Sequence, residues 1–229
     1  MTAIPTRIKK IKGTIKRPKL TDYQKEFLYC PQRFSTVLAS TKTGKTHSHI
    51  IWLFNIAHGL DPIWYSKKVK PGMEFWWCAP VFDQAKIAFR RMKRKIGNAP
   101  GYSFNKAELS IETPKGTIIR FKSADNPDTL YGEDVYGVVF DEYTRAKKEA
   151  WHAIRSTVTY TKAPVKFIGN YTGGSNWGVK LAAKAKTDPD QYAAFRVTAY
   201  DAVRAGILDE KEIEQARQDL PLSVFTALY

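Results

Sequence analysis

The chain has 229 residues, 43% of them hydrophobic, which is enough for one sizeable core. Lys and Arg number 37 against 22 Asp and Glu, a net charge of +15 that suggests a polyanionic partner, most simply nucleic acid. No apolar stretch reaches membrane-spanning length and no signal peptide is read at the basic N-terminus; the two cysteines, Cys30 and Cys78, form neither a zinc spacing nor a disulfide framework, so a reducing cytoplasm fits.

Residues 1–19 read as a flexible basic arm, with Arg7, Lys9, Lys10, Lys12, Lys16, Arg17 and Lys19 and no acid. Such an arm is either a contact for the polyanion or a solvated tail. A short helix is expected over Asp22–Leu28, with Thr21 as its N-cap. A strand over Ser35–Ala39 leads into Ser40-Thr-Lys-Thr-Gly-Lys-Thr46, and the helix beyond carries Ile50, Leu53, Phe54 and Ala57 at helical spacing, with Gly59 to end it. Glu74–Ala79 is a short, doubly apolar strand stopped by Pro80. Asp83–Ile96 is a basic amphipathic helix bearing Lys86, Arg90, Arg91, Lys93, Arg94 and Lys95, either a DNA contact or a solvated outer face.

Two strands, Leu109–Thr113 and Thr117–Lys122, flank Pro114-Lys-Gly116 as a hairpin. Ser123–Asp134 is polar and looped. A strand over Val135–Phe140, a helix near Lys147–Ser156 and an apolar strand over Val165–Gly169 follow. Trp177–Lys186 is expected to be helical, Tyr192–Thr198 extended and Asp209–Asp219 helical. Strands alternate with helices, and the core strands are continuous apolar runs. That pattern predicts one α/β domain with a mainly parallel sheet flanked by helices on both faces.

Two motifs carry the chemistry. The loop after the first strand has Gly44 where backbone must approach phosphate closely, Lys45 to reach β- and γ-phosphates, and Thr46 to ligate Mg²⁺. The backbone N–H groups of Ser40, Thr41, Lys42, Thr43 and Gly44, at a helix start, suit the phosphates of ATP. The usual pattern begins with Gly; here that position is Ala39. Val138-Val-Phe-Asp-Glu142 is a buried strand ending in adjacent carboxylates. Asp141 is assigned to Mg²⁺ through water, and Glu142 to orienting or deprotonating the attacking water. Upstream, Gln24 offers an amide that can pair with adenine and Tyr23 a ring that can stack. His47, His49, His58 and His152 form no triad or metal spacing, and the six Trp read as core.

In order, these motifs resemble the large terminase subunits of tailed bacteriophages. Leu20-Thr-Asp-Tyr-Gln24 is similar to their adenine motif, and Ala39–Thr46 to their deviant phosphate loop. The run Ser123–Gly132 followed by Val138–Glu142 is similar to their carboxylate strand, and Phe167-Ile-Gly-Asn-Tyr-Thr172 to their coupling motif, which assigns Asn170 to sensing the γ-phosphate. The resemblance implies an additional-strand P-loop ATPase that translocates dsDNA into a procapsid. It further implies a homo-oligomeric ring on the portal protein, a small terminase subunit as partner, and a place in the host cell cytoplasm rather than in a membrane.

Members commonly carry Arg ten residues before the Asp, acting on a neighbour's nucleotide; Tyr131 stands there instead. Many also carry Arg inside the loop, where Lys42 is nearest, displaced by one. Arg145 and Arg155 are the candidates for a cation acting in trans. The family's nuclease domain would begin where this chain ends, at Tyr229, so residues 20–229 read as the ATPase portion alone. Two other readings are a helicase-like nucleic-acid-dependent ATPase and a nucleotide-gated structural ring subunit. The first needs a second motor domain; the second has no use for a base at Glu142.

Overall fold

The computed structural model describes residues 19–172 and 175–229, so the expected basic arm lies outside the described residues except for Lys19. In chain order the elements are α1 (Asp22–Leu28), β1 (Phe34–Ala39), α2 (Lys45–Ala57), β2 (Glu74–Ala79), α3 (Phe82–Ile96), β3 (Ser103–Asn105), β4 (Ser110–Glu112), β5 (Ile118–Ser123), β6 (Val135–Asp141), α4 (Lys148–Thr157), β7 (Val165–Gly169), α5 (Trp177–Ala183), β8 (Tyr192–Val197), α6 (Ala199–Arg204), α7 (Glu210–Asp219) and α8 (Leu222–Leu228).

The strands form one eight-stranded sheet in the order β3-β4-β5-β2-β6-β7-β1-β8. Pairing is parallel from β5 through β8, and antiparallel only among β3, β4 and β5 at one edge. The central strands read as unbroken apolar runs because they are covered on both faces. Val37, Trp77, Val139 and Ile168 pack toward α1, α2 and α3, while Trp76, Cys78, Phe140 and Phe167 pack toward α4 and α5.

Four elements differ from the sequence expectation. β3 is only three residues long and sits at the edge, too short for its alternation to register. α6 starts at a capping box in which Thr198 and Asp201 exchange hydrogen bonds, a signal present in Thr198-Ala-Tyr-Asp201. α8 follows Pro221 and is only seven residues long, too short for its spacing to mark a helix in the sequence, and it buries no residue. The helix expected to run to Lys186 ends at Ala183 and tightens into a 3₁₀ turn over Lys184–Lys186.

The sheet order positions the site. β7 lies between β1 and β6, with Leu38 beside Gly169 and Asp141 beside Ile168. The loop after β1, the acid pair ending β6 and the residue after β7 therefore emerge at one edge of the sheet, where ligands of open α/β sheets bind.

Candidate active site

The loop between β1 and α2 has left-handed backbone at Lys42 (φ 60°) and Gly44 (φ 83°). Gly44 has a second reason to be glycine: a Cβ there would lie 2.5 Å from Gln24 Nε2. The loop is tied inward through Thr43, whose hydroxyl donates to the Ser40 carbonyl at 3.0 Å and whose carbonyl accepts from the Tyr23 hydroxyl at 2.7 Å and Gln24 Nε2 at 3.4 Å.

The sequence assigned Tyr23 and Gln24 to the adenine; in the structure their polar ends are bonded to the loop. Gln24 is 3% exposed, and its carbonyl oxygen accepts from the Thr21 N–H at 3.0 Å in the capping box of α1. Adenine pairing by Gln24 requires those bonds to open; both residues instead brace the loop between β1 and α2.

Lys45, the first residue of α2, is 8% exposed. Its ammonium donates to Asn170 Oδ1 at 2.6 Å and stands 3.8 Å from Glu142 Oε1. Burial pulls its pKa below the ordinary lysine value, while Glu142 and Asp141 pull the other way. Asn170 is held in turn by its own carbonyl, which accepts from the Thr144 hydroxyl at 3.1 Å. Lys45, Asn170 and Glu142 are therefore brought together. Ser40 and Thr41 are engaged differently: the Ser40 hydroxyl donates to the Tyr229 carbonyl, and the Thr41 N–H donates to the Leu228 carbonyl at 2.7 Å, so α8 and the residue after it sit against the loop.

Asp141 is buried at 7% exposure, and its carboxyl pKa is pushed up to about 7, first by burial and then by the neighbouring Glu142. Lys45, the Glu142 N–H and Arg91 oppose that rise. Among the described residues no group of three or more His, Cys, Asp or Glu forms a metal cluster. Nucleotide-bound magnesium asks for less, one or two protein oxygens beside phosphates and water. A buried carboxyl in want of a cation, with the Thr46 hydroxyl on the first turn of α2, fits that demand.

A cavity of about 770 Å³ opens beside this edge, lined by Gln84, Glu142, Arg145, Asn170 and residues of α8. Gln84 was not singled out from the sequence. It lies in the first turns of α3, after β2, and its amide oxygen is buried without a partner. Arg155 is elsewhere: its guanidinium lies over the Phe34 ring and donates to Thr159, at the opposite end of β1 from the loop.

On α3, Ala85, Ala88, Phe89, Met92 and Ile96 face the core, and Arg90, Arg91, Arg94 and Lys95 are exposed. None of its cations joins an ion pair among the described residues. Partial desolvation lowers the pKa of His47 in the first turn of α2, and Lys95 and Arg91 of α3 lower it further. No helix is long and apolar enough to cross a membrane among the described residues.

No protein-family model and no curated protein sequence matches the chain. Solved structures match it in fold. The large terminase ATPase domain of Thermus phage P74-26 is 19% identical with a TM-score of 0.71, over 93% of this chain and 92% of that one. The large terminase of bacteriophage HK97 is 14% identical with a TM-score of 0.74, over 92% of this chain and 50% of that one. A large terminase from a thermophilic bacteriophage, in complex with ATP-gamma-S, is 16% identical with a TM-score of 0.69, over 92% of this chain and 52% of that one. The chain spans about half the length of the latter two proteins. The chain shares the fold of these structures, a mainly parallel eight-stranded sheet flanked by helices.

Proposed function

We propose that this chain, folded as phage large-terminase ATPase domains are, is the ATP-hydrolysing motor domain of a viral DNA-packaging machine. The observation that carries the reading is the meeting of Lys45, Asn170 and Glu142 at the strand edge, 2.6 and 3.8 Å from the lysine ammonium. A buried lysine at the start of a helix, with a carboxylate and an amide in its reach, suits a bound polyphosphate and a water held beside it.

In this reading Lys45 binds the β- and γ-phosphates, exchanging its bond to Asn170 for phosphate oxygens. The N–H groups of Ser40 to Gly44 cradle the chain of phosphates, once the Thr41 N–H is released by Leu228. Thr46, and Asp141 through water, would hold Mg²⁺, which would offset the charge that develops on the phosphates. Glu142 orients the attacking water and accepts its proton. Asn170 senses whether γ-phosphate is present, because the bond it makes with Lys45 is the one that phosphate displaces. Tyr23 and Gln24 fix the loop's shape, and with it the space beside the base.

The partner we infer for the basic face of α3, and for the arm over residues 1–19, is dsDNA bound through its backbone. A ring of copies on a portal protein, a small terminase subunit to choose the DNA, and work in the host cytoplasm complete the proposal. The test is ATP hydrolysis by the purified chain with and without dsDNA. Magnesium-dependent turnover that dsDNA raises supports the reading; a chain that binds ATP without turnover is a nucleotide-gated structural subunit instead.

A further inference from the structure

We infer that Arg145 is a catalytic cation acting within its own chain, on the γ-phosphoryl group of the nucleotide bound to the same subunit. The inference rests on the ATPase reading above and concerns how that site completes its charge. Lys45 supplies a cation from the loop side. A transferring phosphoryl group spreads charge over three oxygens and gains from a second cation on another side. In the sequence, Tyr131 and the displaced Lys42 leave that second cation unassigned.

The turn after β6 provides it. Glu142 adopts left-handed backbone (φ 46°, ψ 37°), which is uncommon for a non-glycine residue and costs some strain. Tyr143, Thr144 and Arg145 then form one 3₁₀ turn, with the Arg145 N–H donating to the Glu142 carbonyl at 2.9 Å. Two buried side chains pin the turn. Tyr143 donates to the Gly178 carbonyl at 3.1 Å and packs so closely that a Cβ on Gly178 would lie 2.6 Å from its ring. Thr144 donates to the Asn170 carbonyl at 3.1 Å. Arg145 is left exposed and lines the same cavity as Glu142 and Asn170. Among the described residues it forms no ion pair, and it is the one Lys or Arg lining that cavity. The strained turn therefore sends the candidate base and a free guanidinium to one cavity from one pinned segment.

The experiment separates action within a chain from action on a neighbour. Arg145→Ala should lower kcat by about 10³-fold or more with the KM for ATP nearly unchanged, and Arg145→Lys should restore part of the rate. Because the residue is exposed, thermal unfolding of both variants should match the unmodified chain. Arg145→Ala is then mixed with Glu142→Gln. If the cation acted in trans, a mixed assembly would pair one chain's intact Glu142 with the other's intact Arg145 and regain turnover. We expect no recovery at any mixing ratio or protein concentration. Recovered turnover, or a full rate in Arg145→Ala, overturns the inference and leaves the ATPase reading standing. An unmodified chain without ATPase activity removes both.

Discussion

The Lys45 ammonium donates to Asn170 Oδ1 at 2.6 Å across the sheet edge, linking the first residue of the loop helix to the residue after β7. This bond exists because β7 is inserted between β1 and β6, so a side chain at its end faces both the loop and the acid pair. It gives the sheet edge a defined arrangement, with a buried cation held by an amide and a carboxylate, the two contacts that phosphate would replace under the proposed function.

Asn170→Ala should leave ATP affinity nearly unchanged, since phosphate takes over the Lys45 ammonium when bound. Hydrolysis should fall by roughly 10-fold, the scale of one charge-assisted hydrogen bond, and should no longer respond to dsDNA movement. Steady-state ATPase assays and a nucleotide titration check both halves. Equal losses in binding and hydrolysis place Asn170 in the ground-state site instead.

Gly44→Ala should destabilise the chain. The position needs φ 83° and has Gln24 Nε2 2.5 Å from where a Cβ would stand. Backbone strain of about 1–3 kcal/mol lowers Tm by roughly 2–10 °C in a chain of this size. Nucleotide affinity should fall with it, because Gln24 can no longer seat the loop. A thermal melt and a titration suffice, and an unchanged Tm argues against the seating described here.

Asp141→Asn should stabilise the nucleotide-free chain at neutral and higher pH. The Asp141 carboxyl is raised from 3.8 to about 7 by burial and Glu142, so the folded state holds a proton that the unfolded state has released. Its stabilising contribution is fully present below pH 3.8 and is lost as pH rises through about 7. The Tm difference between variant and unmodified chain should therefore open across that window and level off above it. The same variant should lose magnesium-dependent hydrolysis. A Tm difference independent of pH contradicts the burial-driven shift.

The meeting of the loop after β1 with the acid-ended strand was legible because both are local patterns, each framed by a strand that buries both faces. What was not legible depends on distant neighbours. Val165–Gly169 reads as an apolar strand, yet it contains Lys166, fully buried and bonded to the Phe27 carbonyl at 3.2 Å and Cys30 Sγ at 3.3 Å. Nothing local announces those partners. Gln24 looked free to meet adenine because a sequence shows its amide but not Thr21 and Thr43 holding it. Arg145 and Arg155 looked alike as cations downstream of Asp141, until a 3₁₀ turn sent one to the cavity and α4 carried the other to the far end of β1.

DNA binding should be indifferent to sequence and steeply salt-dependent, with log affinity falling against log salt by about 0.9 per phosphate neutralised. Replacing Arg90, Arg91, Arg94 and Lys95 by Ala should make that slope shallower by about one unit for each phosphate those side chains neutralise. Removing residues 1–19 measures the arm separately. If the α3 variant keeps the full slope and the truncation loses it, the arm is the DNA-binding element and α3 is a solvated face.

The most direct test of the account is Glu142→Gln, with ATP binding and ATP hydrolysis measured on the same preparation and Lys45→Ala as its companion. The Gln variant keeps the size and part of the hydrogen bonding of Glu142 but not the base. It should bind ATP as the unmodified chain does and lose about 10²–10⁴-fold in turnover. Lys45→Ala should instead abolish binding. Near-normal hydrolysis by Glu142→Gln would contradict the assignment of Glu142 as the base, and with it the mechanism built on the Lys45–Asn170–Glu142 meeting.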